Sequence, residues 1–75
     1  VKHGVIKESV VAVRSNNNSK SEMINQMFFG ETFTVVENNL KWVKITSFLD
    51  NYDGWIEKNS IFLISENDYK SLNSK

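Results

Sequence analysis

Seventy-five residues make one small domain, and a chain this short buries only roughly 60% of the surface its unfolded form exposes, too little for a deep catalytic cleft. Nine basic and nine acidic residues cancel to zero net charge, which removes the cationic excess that a phosphate-gripping nucleic-acid binder needs. With no cysteine, a disulfide framework, a thiolate zinc site and a cysteine nucleophile are all excluded within these residues.

The N-terminus lacks the basic, apolar, small-residue order of a signal peptide, and no apolar run approaches the roughly 18 residues of a membrane span, so no membrane partner is expected. Starting at Val1 rather than methionine, the chain reads as a processed or excised piece of a longer protein. His3 is the only histidine; it has no companions for a metal site and no nucleophile to serve, and it is assigned a structural or solvent-facing place. From Val5 to Ile64 the apolar residues recur mostly at every second position in short runs, the period of half-buried strands. Val11 and Val13 share one face of the first clear run, with Ala12 and Arg14 on the other, and Arg14 is expected to pair with Glu22 or Glu31. Ser15 to Ser21, including three consecutive asparagines, has nothing to bury and predicts a long surface loop. Gly30 follows Met27-Phe28-Phe29, where the chain must turn sharply.

Phe33 and Val35 open the next strand, and Glu37-Asn38-Asn39-Leu40 predicts a tight hairpin built from residues that tolerate positive φ. Val43 and Ile45 continue beyond it, leaving Trp42 and Lys44 on the opposite face. A glycine-punctuated aromatic turn, Tyr52-Asp53-Gly54-Trp55-Ile56, comes after, in which Trp55 alternates against Ile56 and shares the face of Glu57. Phe28, Phe29, Phe33, Phe48 and Phe62 are too scattered for a stacking platform and are expected mostly as core or loop anchors. Ser65 before Glu66, Asn67 and Asp68 predicts a helix N-terminus, with Tyr69 and Leu72 packing one face. These elements add up to an all-β fold, a small SH3-like barrel of about five to seven short strands with a short C-terminal helix. The barrel occupies residues 1–64, and residues 65–75 form the helix or the start of a linker. A bent sheet of this kind closes on itself and hides its edges.

Five residues are the candidate ligand-binding set: Trp42, Asp50, Tyr52, Asp53 and Trp55. If the valine and isoleucine sides of the strands form the core, both tryptophans stay partly uncovered and can stack on a ligand; the alternative is that each caps the open side of the barrel. Tyr52 in its turn presents a ring and a hydroxyl to the surface. Asp50 and Asp53 flank it and can attract a cationic amine, although aspartates beside glycine also serve turns. No catalytic residue is expected, because no nucleophile and base constellation exists, and no metal or cofactor is expected either.

Taken in order, Val13-Arg14-Ser15, Ser21-Glu22-Met23, Gln26, Gly30-Glu31, Val35-Val36, Trp42-Val43-Lys44-Ile45 and Asp50-Asn51-Tyr52-Asp53-Gly54-Trp55-Ile56 resemble the bacterial SH3 domain over nearly the whole chain. The last segment is similar to the SH3 domain placed ahead of an NlpC-type cysteine peptidase, whose cysteine and histidine lie in a separate C-terminal domain and which cuts cell-wall peptides after γ-D-glutamate. The resemblance implies a domain that leans over the catalytic cleft of such a peptidase and helps select peptide stems with a free N-terminal amine, with Tyr52 as a wall residue. Relatives often carry Arg-x-x-Pro-Ser and an acidic residue in the long loop to meet the amine; here Arg14 is followed by Ser15, Asn16, Asn17 and Asn18. The implied partner is a cell-wall peptide or an attached peptidase domain, with the isolated domain a monomer in bacteria. The alternative reading is a protein-interaction or spacer domain of a larger bacterial protein.

Overall fold

The computed structural model describes residues 2–74. Seven antiparallel strands form one sheet: β1 (Lys2–Ile6), β2 (Val10–Arg14), β3 (Met23–Phe28), β4 (Thr32–Asn38), β5 (Trp42–Ser47), β6 (Asp53–Glu57) and β7 (Ile61–Ile64). A short 3-10 turn, Lys58–Ser60, leads into β7, and the helix α1 (Glu66–Leu72) follows it. The small all-β architecture with a C-terminal helix agrees with the strand periodicity. Strand β1 and strand β3 extend it beyond the runs that alternation alone marks out.

The hydrogen-bonded order is β3-β2-β6-β5-β4-β1-β7. The sheet therefore curls round its core with two free end strands, β3 and β7, and does not join them as expected. Two register shifts help it bend. One falls between Val13 and Arg14, opposite Ile24, and the other between Val35 and Glu37, where Val36 is the extra residue. Every strand sends at least one residue inward: Ile6, Val11, Val13, Met27, Phe33, Val43, Ile45, Ile56 and Ile61 make one buried cluster. With so few apolar side chains available, this sharing among strands is what lets a short chain form a single core.

Two glycines are required by close approach. Gly4 pairs with Phe33 across the β1–β4 ladder, and a Cβ there would come within 2.5 Å of the Phe33 ring. A Cβ on Gly54 would run into the Val13 side chain. Gly30 has a different reason: its φ of 86° lies in the left-handed region that side chains resist, although the space around it is open.

The hairpin between β4 and β5 does not use positive φ. Asn39 instead accepts backbone N–H bonds on Oδ1 from Trp42 at 2.9 Å and Lys41 at 3.3 Å, so its side chain closes the turn. Positive φ falls on Asn51 in the β5–β6 turn, at 55°. Of the five phenylalanines only Phe33 is buried; Phe28 and Phe62 are exposed on the two end strands, and Phe29 and Phe48 in turns.

Ser65 caps α1 by accepting the Asp68 N–H on its hydroxyl at 3.1 Å. Tyr69 on the helix stacks on His3 with ring centroids 3.8 Å apart and planes 16° from parallel. It also meets Phe48 edge-on at 5.8 Å. His3 is buried and its Nδ1 lies 3.2 Å from the Thr34 hydroxyl, so the structural option for this residue is the one realised. Leu72, expected beside Tyr69, is exposed; Asn73 takes its place, its Oδ1 accepting the Thr32 hydroxyl at 3.1 Å. Polar bonding at the helix C-terminus displaces the apolar contact that spacing suggested. No described helix is long and apolar enough to cross a membrane.

Candidate functional site

Strand β5 separates the five candidate residues into two groups. Trp42 begins this strand and Ser47 ends it, a run of roughly 17 Å at strand rise. Ser47 donates its backbone N–H to the Tyr52 carbonyl at 2.9 Å, and Asn51 N–H returns to the Ser47 carbonyl at 3.1 Å. Tyr52 is thereby fixed at the far end from Trp42. The tight turn Ser47 to Tyr52 closes because Asn51 accepts the left-handed conformation and Ser47 Oγ takes the Asp50 N–H at 3.5 Å.

At this end Tyr52 is half-buried against the core cluster. Burial pushes its phenol above the ordinary tyrosine range, the carboxylates of Glu31 and then Asp50 push it further, and a hydrogen bond with Ser47 opposes them. Two carboxylates from two different turns thus act on the same phenol. Glu31 reaches it from the β3–β4 turn, where Glu31 N–H donates to the Phe28 carbonyl at 3.0 Å and Glu31 Oε2 accepts the Phe28 N–H at 2.9 Å. The two turns are tied together by the Phe48 N–H bond to the Thr32 carbonyl at 3.2 Å. Their tips expose Phe29 and Leu49, at 73% and 71% of full accessibility.

Glu31 was read from sequence as a partner for Arg14, and that pairing does not form. Arg14 Nη1 donates to the Ser21 carbonyl at 2.9 Å and braces the long loop, with Glu22 exposed and unpaired to it. The long-loop position was open to carbonyl capture because Ser21 folds back across Asn16 and Asn18, its hydroxyl donating to their carbonyls at 3.0 and 2.6 Å. Nothing in the spacing of Glu31 and Tyr52 signals their meeting; only the order β4 beside β5 does.

The second group lies on the outer face of β5 and β6. Trp55 is directly opposite Lys44 on one side and Arg14 on the other, and Trp42 is opposite Glu57. Directly paired residues of an antiparallel ladder project to the same side. Trp55 nevertheless keeps only 9% of its accessibility. The expectation that both tryptophans stay partly uncovered thus holds for Trp42, which is half-buried, and fails for Trp55. Trp55 lies mid-strand with a directly paired residue on both neighbouring strands, whereas Trp42 at the strand end has one on β6 only. Asp53 accepts the Thr46 hydroxyl on Oδ1 at 2.6 Å, a cross-strand bond that occupies it in the ladder.

Of the candidate set, Asp50 and Tyr52 share one turn, with Glu31 acting on the same phenol; Asp53 follows Tyr52 directly but is bonded to Thr46 on the outer face, and Trp42 and Trp55 lie farther along the strands. Among the described residues no group of three or more histidine and carboxylate side chains is placed to hold a metal ion. No curated protein matches the chain. The family described as the bacterial dipeptidyl-peptidase SH3 domain matches residues 13–61. That span runs from the end of β2 into β7 and takes in both turns of the Tyr52 corner, so more than half of the chain is covered and it belongs to this family of bacterial SH3 domains.

Proposed function

We propose that this noncatalytic SH3 domain binds a cell-wall peptide through the Tyr52 corner, or uses that corner to shape the substrate cleft of an attached NlpC-type cysteine endopeptidase. The observation that carries the reading is Tyr52, half-buried against the core at the point where the turns bearing Glu31 and Asp50 are tied together, with both carboxylates acting on its phenol. A neutral phenol face with two nearby anions suits a primary ammonium group with a short apolar stem, the chemistry of a peptide's free N-terminus. Glu31 and Asp50 supply the negative charge that the asparagine-rich loop lacks. The family match to an SH3 domain of dipeptidyl-peptidases supports the same substrate class. Trp42, Trp55 and Asp53 have no part in this corner; their place is the outer face.

The exposed Phe29 and Leu49 favour the second half of the proposal, since apolar turn tips on either side of an acidic corner suit packing against a neighbouring domain. The test is an amide-shift titration with a cell-wall tripeptide in free and N-acetylated form. Saturable shifts at Glu31, Asp50 and Tyr52 with the free amine only are expected. Equal or absent shifts with both forms, in this chain and in a longer chain carrying the peptidase, refute amine recognition.

A further inference from the structure

The C-terminal end of helix α1 touches both turns of the Tyr52 corner. Tyr69 meets Phe48 of the β5–β6 turn edge-on, with ring centroids 5.8 Å apart, and Asn73 Oδ1 accepts the hydroxyl of Thr32, at the foot of the β3–β4 turn, at 3.1 Å. Phe48 and Thr32 are joined to each other by the backbone bond that ties the two turns, and Asn73 Nδ2 donates to the Tyr69 carbonyl at 2.8 Å. These four residues therefore form a closed circuit. Two of them stand beside the carboxylates that act on the Tyr52 phenol: Thr32 follows Glu31, and Phe48 is two residues before Asp50. The Asn73 amide suits its place because it donates and accepts at once; an aspartate would keep the acceptor and lose the donor.

The helix itself is held lightly. It has seven residues, none of them buried, and a helix so short does not persist in water without a surface to lie on. Among the described residues its ion pair, Lys70 with Glu66, is internal, and the Thr32–Asn73 bond is the hydrogen bond that joins this segment to the barrel. On the β1 side it rests on the His3 ring, stacked 3.8 Å from Tyr69. No helix residue belongs to the core cluster, so α1 can leave the barrel without opening the core. The family match ends at Ile61, before the helix begins, and does not account for it.

We propose that α1 is a detachable clamp on the Tyr52 corner: docked, it holds the β3–β4 and β5–β6 turns together and keeps Glu31 close to Tyr52, and undocked, it lets the turns part and weakens the corner's hold on its ligand. Tyr69 and Asn73 are its positioning residues, acting through Phe48 and Thr32. The effect on a ligand rests on the reading of this corner as the binding site, whereas the spacing of Glu31 and Tyr52 answers to the clamp with or without a peptide. Coupling between two sites is reciprocal, so an occupied corner also holds the helix down.

Tyr52 and Tyr69 are the two tyrosines, so replacing Tyr69 leaves the Tyr52 phenol alone in an alkaline absorbance titration. Tyr69→Phe keeps the ring and is the reference; Tyr69→Ala removes the stack on His3 and the contact with Phe48 together. Against that reference, Tyr69→Ala is expected to lower the Tyr52 midpoint and to shrink the further drop caused by Glu31→Gln to about half or less, as for two residues that no longer meet. Asn73→Ala, added to Tyr69→Phe, repeats both effects through the other turn. With a cell-wall tripeptide bearing a free amine, Tyr69→Ala weakens binding about 3–10-fold and Tyr69→Phe does not, and saturating peptide slows amide exchange at residues 69 and 73 of the parent protein by a comparable factor. An unchanged Tyr52 midpoint with an undiminished Glu31→Gln step overturns the proposal. So does loss of the whole fold in both alanine variants, since a separable helix does not take the barrel with it. Titrations that shift as expected in a protein that binds no peptide uphold the clamp and refute amine recognition; equal binding by every variant refutes the clamp and leaves amine recognition standing.

Discussion

Replacing Trp55 by alanine distinguishes a ligand platform from a structural support. At roughly 25 cal/mol per Å2, hiding about nine-tenths of a side chain of ~250 Å2 stabilises the fold by about 5.6 kcal/mol, and residual order in the unfolded chain reduces that. Truncation is therefore expected to cost about 3–5 kcal/mol. A domain of this size has on the order of 3–5 kcal/mol in total, so Trp55→Ala is mostly unfolded at room temperature. Half-buried Trp42, replaced in the same way, costs about 1–2 kcal/mol and leaves a folded domain. Urea denaturation followed by far-ultraviolet circular dichroism reads both, and each variant keeps one tryptophan as a second fluorescent probe. If Trp55→Ala unfolds within about 1 kcal/mol of the parent protein, the supporting role given to Trp55 is refuted and it returns to the list of ligand contacts.

Gly4→Ala forces a Cβ against the fully buried Phe33 ring and is expected to destabilise by about 2–3 kcal/mol, with Phe33→Leu in the same chain recovering part of the loss; additive losses in thermal denaturation would show that the two do not collide. Gly30→Ala has free space and pays only for its left-handed φ, about 1 kcal/mol. Because the folded protein holds the Tyr52 proton more tightly than the unfolded chain, the stability this provides is complete below the ordinary tyrosine range and is lost as pH rises through the raised value. Alkaline titration of phenolate absorbance, with Tyr52→Phe as the reference, checks it: Glu31→Gln moves the midpoint down but not fully back, since burial is the larger cause. The same Glu31→Gln change is expected to weaken binding of a free-amine peptide about 3–10-fold while keeping the Phe28 N–H bond through its amide oxygen.

Alternation made the sheet legible where strands are covered on one side. Val11 with Val13 and Val43 with Ile45 are buried as their spacing requires, and Ser65 caps the helix that its position predicts. Strand β3 was not legible because it is an end strand: only Met27 of Met23–Phe28 is buried, so no inward and outward rhythm is written into it. The same cause exposes Phe28 and Phe62, since apolarity marks a residue for the interior only if its strand has neighbours to cover it. Asn39 and Asn51 show a further limit. Both are turn asparagines, yet one works through its side-chain oxygen and the other through its backbone angle, and the sequence around them does not separate the two uses.

For the site, parity was a sound guide to direction and a poor guide to exposure. Trp55 does project opposite Ile56, as alternation demands, but it is buried in a position whose cross-strand neighbours, Arg14 and Lys44, are set only when β2 and β5 flank β6. Glu31 shows the converse, a residue whose local surroundings mark it for a turn and whose charge matters because another turn folds beside it. Both cases follow from one fact: local pattern sets the side from which a residue leaves its strand, whereas strand order sets what it meets there. The acidic corner at Tyr52 is thus a property of β4 lying beside β5. A change that loosened the Phe48 to Thr32 backbone bond between their turns would separate Glu31 from Tyr52 without altering either residue.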